Sequence, residues 1–388
     1  MPDSDQPAWQ RPDAFPAAGE GWGWVDRKGR RHVCEGIAEL SAAIVDDAGA
    51  SVDMVWTPDH PHLVLPEELP PLLPALKEAR VRWAEWEIRE GLSQMKIFGL
   101  FMAGFALFAF FTRGASAMTG TLGLALILFL MLGFFPWYRG KKRLRRARAW
   151  RAEEGLPDLE GLRFETWLMA QKAPVTKLMM GAIGVVALVQ WLGPQSLAEQ
   201  VKTAGLIKLN GRPEDWWRLA TAPFLHGHPL HLFFNGSALL YLGRRMEVLV
   251  RWPHVLLVFV LSAWVGGECS SRWVEAPSLG ASGGLMGMLG FLLVFEWLHR
   301  RLVPESSRRR LIAGLLLTAG IGIVGFKFID NAAHGGGLVL GMAYAFGVFP
   351  SSNSATRPRL TWADQIGGGA AGLVFVAAAL WTLVRITS

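Results

Sequence analysis

The sequence predicts an all-α polytopic membrane protein that is preceded by a small polar region of mixed α/β structure. Of its 388 residues, 51% are hydrophobic and only 18% are charged, which is less charge than a soluble protein of this length normally carries. The apolar residues are also concentrated after residue 92, in segments long enough to cross a bilayer. We therefore expect a soluble region over residues 1–92 and membrane-embedded structure after it.

The polar region 1–92 is expected to be a small folded unit. The segment GWGWVDRKGRRHV, residues 21–33, has the composition of two short strands joined by a turn, and Leu69–Ile97 has helical apolar spacing. The first residues lack a basic stretch followed by an apolar one, so we expect no cleavable signal peptide. A zinc site is not expected, because the spacing of the available ligands fits no standard zinc pattern; these ligands are His32, Cys34, His60 and His62. We therefore interpret residues 1–92 as a solvated regulatory or docking domain.

Hydropathy predicts nine membrane spans. A hairpin within residues 93–151 supplies two of them, 97–111 and 120–138, and ends in the very basic stretch Arg139–Arg151. The remaining seven are near residues 177–193, 219–242, 254–267, 281–298, 310–325, 332–349 and 367–384. Residues 176–388 are thus expected to form one membrane domain.

The distribution of lysine and arginine predicts the orientation of these spans. With nine spans, the most basic loops all fall on one side of the membrane: Arg139–Arg151; Arg244, Arg245 and Arg251; Arg300, Arg301 and Arg308–Arg310; Arg357 and Arg359. Basic loops favour the cytoplasmic side, so residues 1–92 are expected there, in a cell or inner membrane. The same bias accounts for the net charge of +7 without a nucleic-acid partner. The two cysteines, Cys34 and Cys269, fall on opposite sides of the membrane, so we expect no disulfide between them.

A first group of polar residues follows a predicted outer loop and contains His226, His228, His231 and Asn235. His231 and Asn235 are four residues apart and therefore share one helix face. Burying such groups in hydrocarbon is costly unless something uses them. On its own, this group is as well explained by hydrogen bonds between helices or by a proton path.

Two further segments begin spans that run inward from the same side. Gly280-Ala281-Ser282-Gly283-Gly284 would expose a serine hydroxyl at a tight turn and at a helix start, where free backbone N–H groups can stabilise an oxyanion. His334 is followed by Gly337 and Gly341 on its own helix face. Each segment alone could reflect small-residue packing or a structural histidine. Two glycine-faced helices pressed together, however, would bring His334 beside Ser282.

These residues together resemble the rhomboid family of intramembrane serine proteases, over roughly Thr176 to the C-terminus. The family's Trp-Arg pair is similar to Trp217-Arg218. Its other motifs match three sets in the same order: His226, His231 and Asn235; Gly280 to Gly283; Ala333, His334, Gly337 and Gly341. The resemblance implies a bundle of six core helices, and the seventh span resembles the variant with one extra C-terminal helix.

The resemblance implies a Ser282–His334 dyad that hydrolyses peptide bonds in transmembrane segments of other proteins, with the lipid bilayer as its environment and with no metal or cofactor. It assigns the oxyanion hole to His231, Asn235 and the backbone at Ala281. It gives structural roles to Trp217, Arg218, Gly280, Gly283, Gly337 and Gly341. Many members have an aromatic residue where this chain has Met286, which puts the precision of His334 in question. The alternatives are an inactive rhomboid-like protein that binds membrane clients, and a transporter or channel.

Overall fold

The computed structural model describes residues 6–46, 52–112, 125–126, 128–151, 156, 158–208, 213–326 and 328–388. The chain divides into two compact units. The N-terminal unit comprises Gln10–Arg163 and Ile323–Gly325, and the bundle unit comprises Met1–Trp9, Phe164–Gly322 and Phe326–Ser388. The loop predicted between the two hairpin spans, and the first residues of the second span, lie outside the described residues.

The N-terminal unit begins with a three-stranded antiparallel sheet in the order β2-β1-β3. The strands are β1 (Trp22–Asp26), β2 (Arg31–Cys34) and β3 (Val52–Trp56), and helix α1 (Ile37–Asp46) packs on β1. The hairpin predicted for residues 21–33 is therefore confirmed. Its turn is closed by the Asp26 carboxylate, which accepts hydrogen bonds from the backbone N–H groups of Lys28 and Arg30 at 2.9 Å each.

The helical hairpin of the same unit is joined tightly by small residues. Helix α2 (Leu73–Thr112) runs without a break across the boundary predicted between residues 92 and 93. It packs along helix α3 (Phe135–Ala149), which continues a π-helical segment, Phe129–Phe134. A Cβ atom at Gly91 would lie 2.6 Å from the backbone nitrogen of Trp137. The two helices thus approach almost to backbone contact.

The bundle unit consists almost entirely of helices. In chain order they are α4 (Leu159–Ala170), α5 (Pro174–Leu192), α6 (Leu197–Ala204), α7 (Arg218–Thr221), α8 (Pro229–Val250), α9 (Trp252–Trp273), α10 (Ser282–Leu298), α11 (Glu305–Val324), α12 (Asn331–Val348) and α13 (Trp362–Thr387). Helices α5 and α8 to α12 correspond to the six expected core helices, and α13 is the expected C-terminal one. We call α10 the serine helix and α12 the histidine helix.

Four of the described helices are long and apolar enough to cross a membrane. They are Pro70–Phe108, which lies largely within α2, and Pro174–Leu192, Trp252–Trp273 and Trp362–Thr387. The serine helix is a shorter apolar helix. Many apolar side chains on these segments are exposed, among them Leu178, Leu192 and Leu373, at 72 to 79%. Such exposure suits a hydrocarbon solvent and not water.

The span predicted over residues 219–242 differs from the structure. The helix begins ten residues later, at Pro229, and continues to Val250. Residues 218–224 instead form the four-residue helix α7 and a 3₁₀ turn. Pro223 and Pro229 explain the shift, because proline removes a backbone donor and is favoured at the first position of a helix. The shift places His226 in a loop.

A buried ion pair fixes the end of the serine helix that is remote from Ser282. Arg245 of α8 and Glu296 of the serine helix have side chains with 0% exposure, and they are 2.6 Å apart. Ser307 bonds to both of them, which brings in the start of α11. Three helices are therefore held together at this end by one satisfied polar group.

Candidate active site

The serine helix and the histidine helix cross with their backbones in near contact, and this is the most extensive helix pairing in the described structure. A Cβ atom at Gly337 would overlap the carbonyl oxygen of Gly283 and lie 2.9 Å from its carbonyl carbon. A Cβ atom at Gly341 would overlap the carbonyl oxygen of Gly287 in the same way. Only glycine allows this approach. The crossing brings the starts of both helices, with Ser282 and His334, to the same end.

Helix α9 lies against both helices and completes the packing. A Cβ atom at Gly266 of α9 would lie 2.6 Å from the carbonyl oxygen of Ala333, the residue before His334. A Cβ atom at Gly284 would lie 2.7 Å from the ring of Phe259. The start of each site helix is therefore enclosed by backbone as well as by side chains. A protein interior packed in this way resists small displacements.

Ser282 is the first residue of the serine helix, and Ala281 precedes it as the N-cap. The turn before it depends on Gly280, whose φ of +113° is a conformation that side-chain-bearing residues rarely adopt. The Gly280 N–H donates to the carbonyl oxygen of Ala222 at 2.9 Å, which anchors the turn. Ser282 itself is partly exposed, whereas Ala281 and Gly283 are buried. The serine is thus held on a fixed turn with an accessible side chain.

His231 and Asn235 lie directly against this turn. A Cβ atom at Gly280 would be 2.7 Å from His231 Cε1, 2.8 Å from His231 Nε2 and 3.4 Å from Asn235 Nδ2. Both residues lie on α8, and their spacing of four places them on one face. The sequence-predicted partners of the serine turn are therefore brought to it. The absence of a side chain at Gly280 makes room for them.

His226 fixes the orientation of the Asn235 amide. Its Nδ1 lies 3.2 Å from the carbonyl oxygen of Phe224, and its Nε2 lies 3.1 Å from Asn235 Nδ2. A carbonyl can only accept, so Nδ1 carries the proton and Nε2 accepts from the amide. Asn235 Nδ2 therefore keeps one N–H for another acceptor. The same nitrogen lies 3.4 Å from the position that a Cβ atom at Gly280 would occupy.

His334 is in the first turn of the histidine helix. The N-cap is Asp330, whose Oδ1 accepts from the Ala333 N–H at 2.9 Å, and the His334 N–H donates to the Asp330 carbonyl oxygen at 3.0 Å. His334 is partly buried. The side chains of Ser282 and His334 are not hydrogen bonded to each other.

Trp217 and Arg218 lie outside this group and support the loop before it. Arg218 is 6% exposed, forms an ion pair with Asp215 at 3.1 Å and donates to the Gly205 carbonyl oxygen at 3.0 Å. Its guanidinium covers the ring of Trp217 at 4.5 Å, and Arg385 of α13 covers the same ring at 4.9 Å. The pair therefore ties the loop to the C-terminal helix. It does not reach the serine turn.

The structure adds a polar cluster that the sequence did not indicate. Lys208 Nζ donates to the hydroxyls of Ser270 at 2.6 Å and Ser278 at 2.8 Å. Both hydroxyls bond to Asp330 Oδ2, with the Ser278 bond measuring 2.5 Å. A cavity of about 40 Å³ is lined by Ser282 and also by Ser270, Ser278 and Asp330. The space is sufficient for a single water molecule. The two residues in each of these four bonds are 52 to 70 positions apart in the sequence.

A metal centre is not formed by the part of the chain that the structure describes. No group of three or more His, Cys, Asp or Glu side chains in those residues is arranged to hold a metal ion. The two cysteines are both free thiols. The groups present at the serine turn are a hydroxyl, imidazoles, an amide and backbone N–H groups.

Comparison with known proteins matches this part of the chain to one family. The rhomboid domain matches residues 213–351, which include His231, Asn235, Ser282 and His334. The rhomboid protease GlpG of Serratia proteamaculans is 30% identical over 217 residues, which are 52% of this chain and 73% of that protein.

Two other relatives match shorter shares of their own length. The rhomboid protease GluP of Bacillus subtilis is 33% identical over 127 residues, 33% of this chain and 25% of that protein. RHOMBOID-like protein 4 of Arabidopsis thaliana is 28% identical over 178 residues, 46% of this chain and 44% of that protein. The chain thus spans less than half the length of these two relatives. Its apolar helices, its glycine-lined crossing and its similarity to most of the Serratia protein together identify it as a multi-pass integral membrane protein that belongs to the rhomboid family.

Proposed function

We propose that the chain is an intramembrane serine endopeptidase that hydrolyses peptide bonds in the transmembrane segments of other proteins, with Ser282 as nucleophile and His334 as general base. The single observation that carries this proposal is the crossing of the serine and histidine helices at Gly283 and Gly337. A crossing this close brings the heads of the two helices together with no bulky side chain between them. A helix pair that served only for packing would not need a serine and a histidine at that one end.

In the proposed reaction, Ser282 Oγ attacks the carbonyl carbon of the scissile bond while His334 accepts the hydroxyl proton. The tetrahedral intermediate then collapses to an acyl-enzyme, and His334 gives the proton to the leaving amine. Water attacks the acyl ester in the second half, with His334 again carrying the proton. The imidazole therefore has to be neutral at rest. A dyad of this kind needs no carboxylate, provided that the histidine is oriented by its surroundings.

The negative charge of the intermediate is assigned to three kinds of donor. Asn235 Nδ2 has one N–H left after its bond to His226, and it lies beside the serine turn. His231 lies against Gly280 and offers a ring nitrogen. The backbone N–H groups near Ala281 and Ser282, at the start of the serine helix, have no partner within that helix. Fixed neutral donors in a low-dielectric site stabilise an oxyanion strongly.

We expect the hydrogen bond between Ser282 and His334 to form when the substrate is bound. Catalytic hydrogen bonds are often long in free enzymes and tighten when substrate is bound. Met286, one turn after Ser282, is buried at 8% exposure. A thioether is more flexible than a ring. The rest position of the imidazole is thus set mainly by the backbone of the histidine helix.

We also propose an orientation and a substrate class. The basic loops favour a cytoplasmic location for residues 1–92, with the transmembrane hairpin at 93–151 and the catalytic domain at 176–388. The serine turn then lies in the outer half of the bilayer. A peptide bond must leave its helix to reach Ser282, so substrates should carry glycine, proline or other helix-weakening residues near the outer face.

The test is cleavage of a model transmembrane substrate by the purified full-length chain in liposomes. We expect cleavage by the wild type, and a loss of roughly 10³-fold or more in Ser282→Ala and in His334→Ala. His228→Asn is the matched control, because His228 is exposed and its side chain caps α8 by accepting from the Leu230 N–H at 3.1 Å. It should retain wild-type activity.

Two outcomes would contradict the proposal. Cleavage that persists in Ser282→Ala would assign the nucleophile elsewhere. Stable binding of the substrate by wild type with no cleavage under any condition would favour the alternative, an inactive rhomboid-like protein that holds membrane clients.

A further inference from the structure

The polar cluster of Lys208, Ser270, Ser278 and Asp330 has a hydrogen-bond order that its charges determine. The lysine ammonium has only donors, so both serine hydroxyls must accept from it. Each hydroxyl then has one hydrogen left, and both are directed to Asp330 Oδ2. Two parallel bridges therefore run from a cation, through a serine, to one carboxylate oxygen. Bonds in such chains polarise one another.

The cluster is partly buried. Ser270 has 0% exposure, and Lys208, Ser278 and Asp330 are only partly exposed. Burial lowers the pKa of the Lys208 ammonium, and the nearby Asp330 carboxylate counteracts that effect. Partial burial thus disfavours the charged form of Lys208, and the Asp330 carboxylate stabilises that form. A partly buried ion pair of this kind is stable only if its hydrogen bonds have good geometry.

The same cluster is bonded to both segments that carry the proposed dyad. Ser278 is four residues before Ser282, and its backbone pairs with that of Leu206, two residues before Lys208, at 2.9 and 3.0 Å. Asp330 is four residues before His334 and caps the histidine helix through Oδ1. One carboxylate therefore bonds to the serine segment through one oxygen and to the histidine helix through the other.

We propose that Lys208 and Asp330, bridged by Ser270 and Ser278, are positioning residues that set the placement of Ser282 relative to His334. The glycine crossing sets how closely the two helices approach. The cluster sets where the serine turn lies along that crossing, because Ser278 is joined at once to the Lys208 loop and to Asp330. This inference rests on the proposed protease function. It concerns residues that touch neither the reacting atoms nor the substrate.

The experiment measures kcat and KM for a model transmembrane substrate in Lys208→Met, Asp330→Asn and the double variant. Rates are expressed per folded enzyme, and melting temperatures are recorded alongside. Asp330→Asn keeps an N-cap acceptor for the histidine helix but removes the charge. Lys202→Met is the matched control, since Lys202 is exposed on the neighbouring helix α6.

We expect kcat to fall about 10- to 100-fold in each single variant, since displacement of a reacting group by about 1 Å has effects of that size. KM should stay within about two-fold, because substrate contacts are unchanged. The double variant should lose no more than the worse single variant, as expected for two members of one unit. Lys208→Arg should recover most of the loss, and Lys202→Met should match wild type. If Lys208→Met does not fold, Ser278→Ala takes its place, because it removes one of the two bridges.

Three results would overturn the proposal: kcat per folded enzyme at the wild-type level in both single variants, losses that multiply in the double variant, or a loss of the same size in Lys202→Met. Failure of the underlying function looks different, because Ser282→Ala would then cleave as well as wild type does. If the wild-type protein does not cleave the substrate, both the proposed protease function and the positioning role of the cluster are wrong.

Discussion

Replacing Gly337 by alanine should separate the two helices that carry the proposed dyad. Ordinary contact begins at about 3.4 Å, and the new Cβ would lie 2.9 Å from the Gly283 carbonyl carbon, so that contact alone requires about 0.5 Å of movement. The Gly283 oxygen lies closer still, and a separation on the order of 1 Å is needed because backbone cannot rotate away as a side chain can. Gly283 is adjacent to Ser282, and Gly337 is one turn from His334.

A displacement of this size at a reacting group reduces rates by about 100-fold. We therefore expect Gly337→Ala to lose about that factor in kcat for a model transmembrane substrate in liposomes, measured per folded enzyme. Gly335→Ala is the matched control on the same helix, since Gly335 is exposed and a Cβ there would meet nothing within 4 Å. If Gly337→Ala folds and cleaves like Gly335→Ala, the crossing does not set the geometry of the site.

Two other substitutions test separate parts of the structure. Asn235→Ala should lower kcat by about 10²- to 10³-fold with little change in KM, because it removes a donor to the proposed oxyanion; an unchanged kcat would exclude Asn235 from that role. Arg245→Met should destabilise the bundle by about 3–5 kcal/mol, because it leaves Glu296 buried without its partner. Thermal unfolding in detergent measures this loss, and the more exposed Arg244→Met should melt near the wild-type temperature. Equal melting of the two arginine variants would contradict the buried-pair argument.

The helix crossing was predictable because it depends on local spacing. Gly337 and Gly341 recur on the face of His334, and Gly283 and Gly287 recur four residues apart on one face of the serine helix, so each sequence segment specifies its own smooth surface. The contact of His231 and Asn235 with the serine turn follows in the same way from a spacing of four on α8. Such spacings can be read from the sequence alone.

The start of α8 and the Lys208 cluster were not predictable in this way. Hydropathy extended the span back to residue 219, because Leu219, Phe224 and Leu225 are apolar, although they are buried in short turns and not in a continuing helix. Lys208 is a single cation in a loop, and its partners come from a helix and two loops far away in sequence. Only the folded chain brings them together. Asp330 was visible as part of the histidine motif, but its second bond was not.

The most direct measurement of the central claim is the site of covalent labelling by a fluorophosphonate, located by mass spectrometry of the full-length chain in liposomes. Our account predicts a single phosphonylated residue, Ser282, and labelling at least about 10³-fold slower in His334→Ala. A label on another serine, or an unchanged rate in His334→Ala, would show that the hydroxyl and the imidazole do not act together.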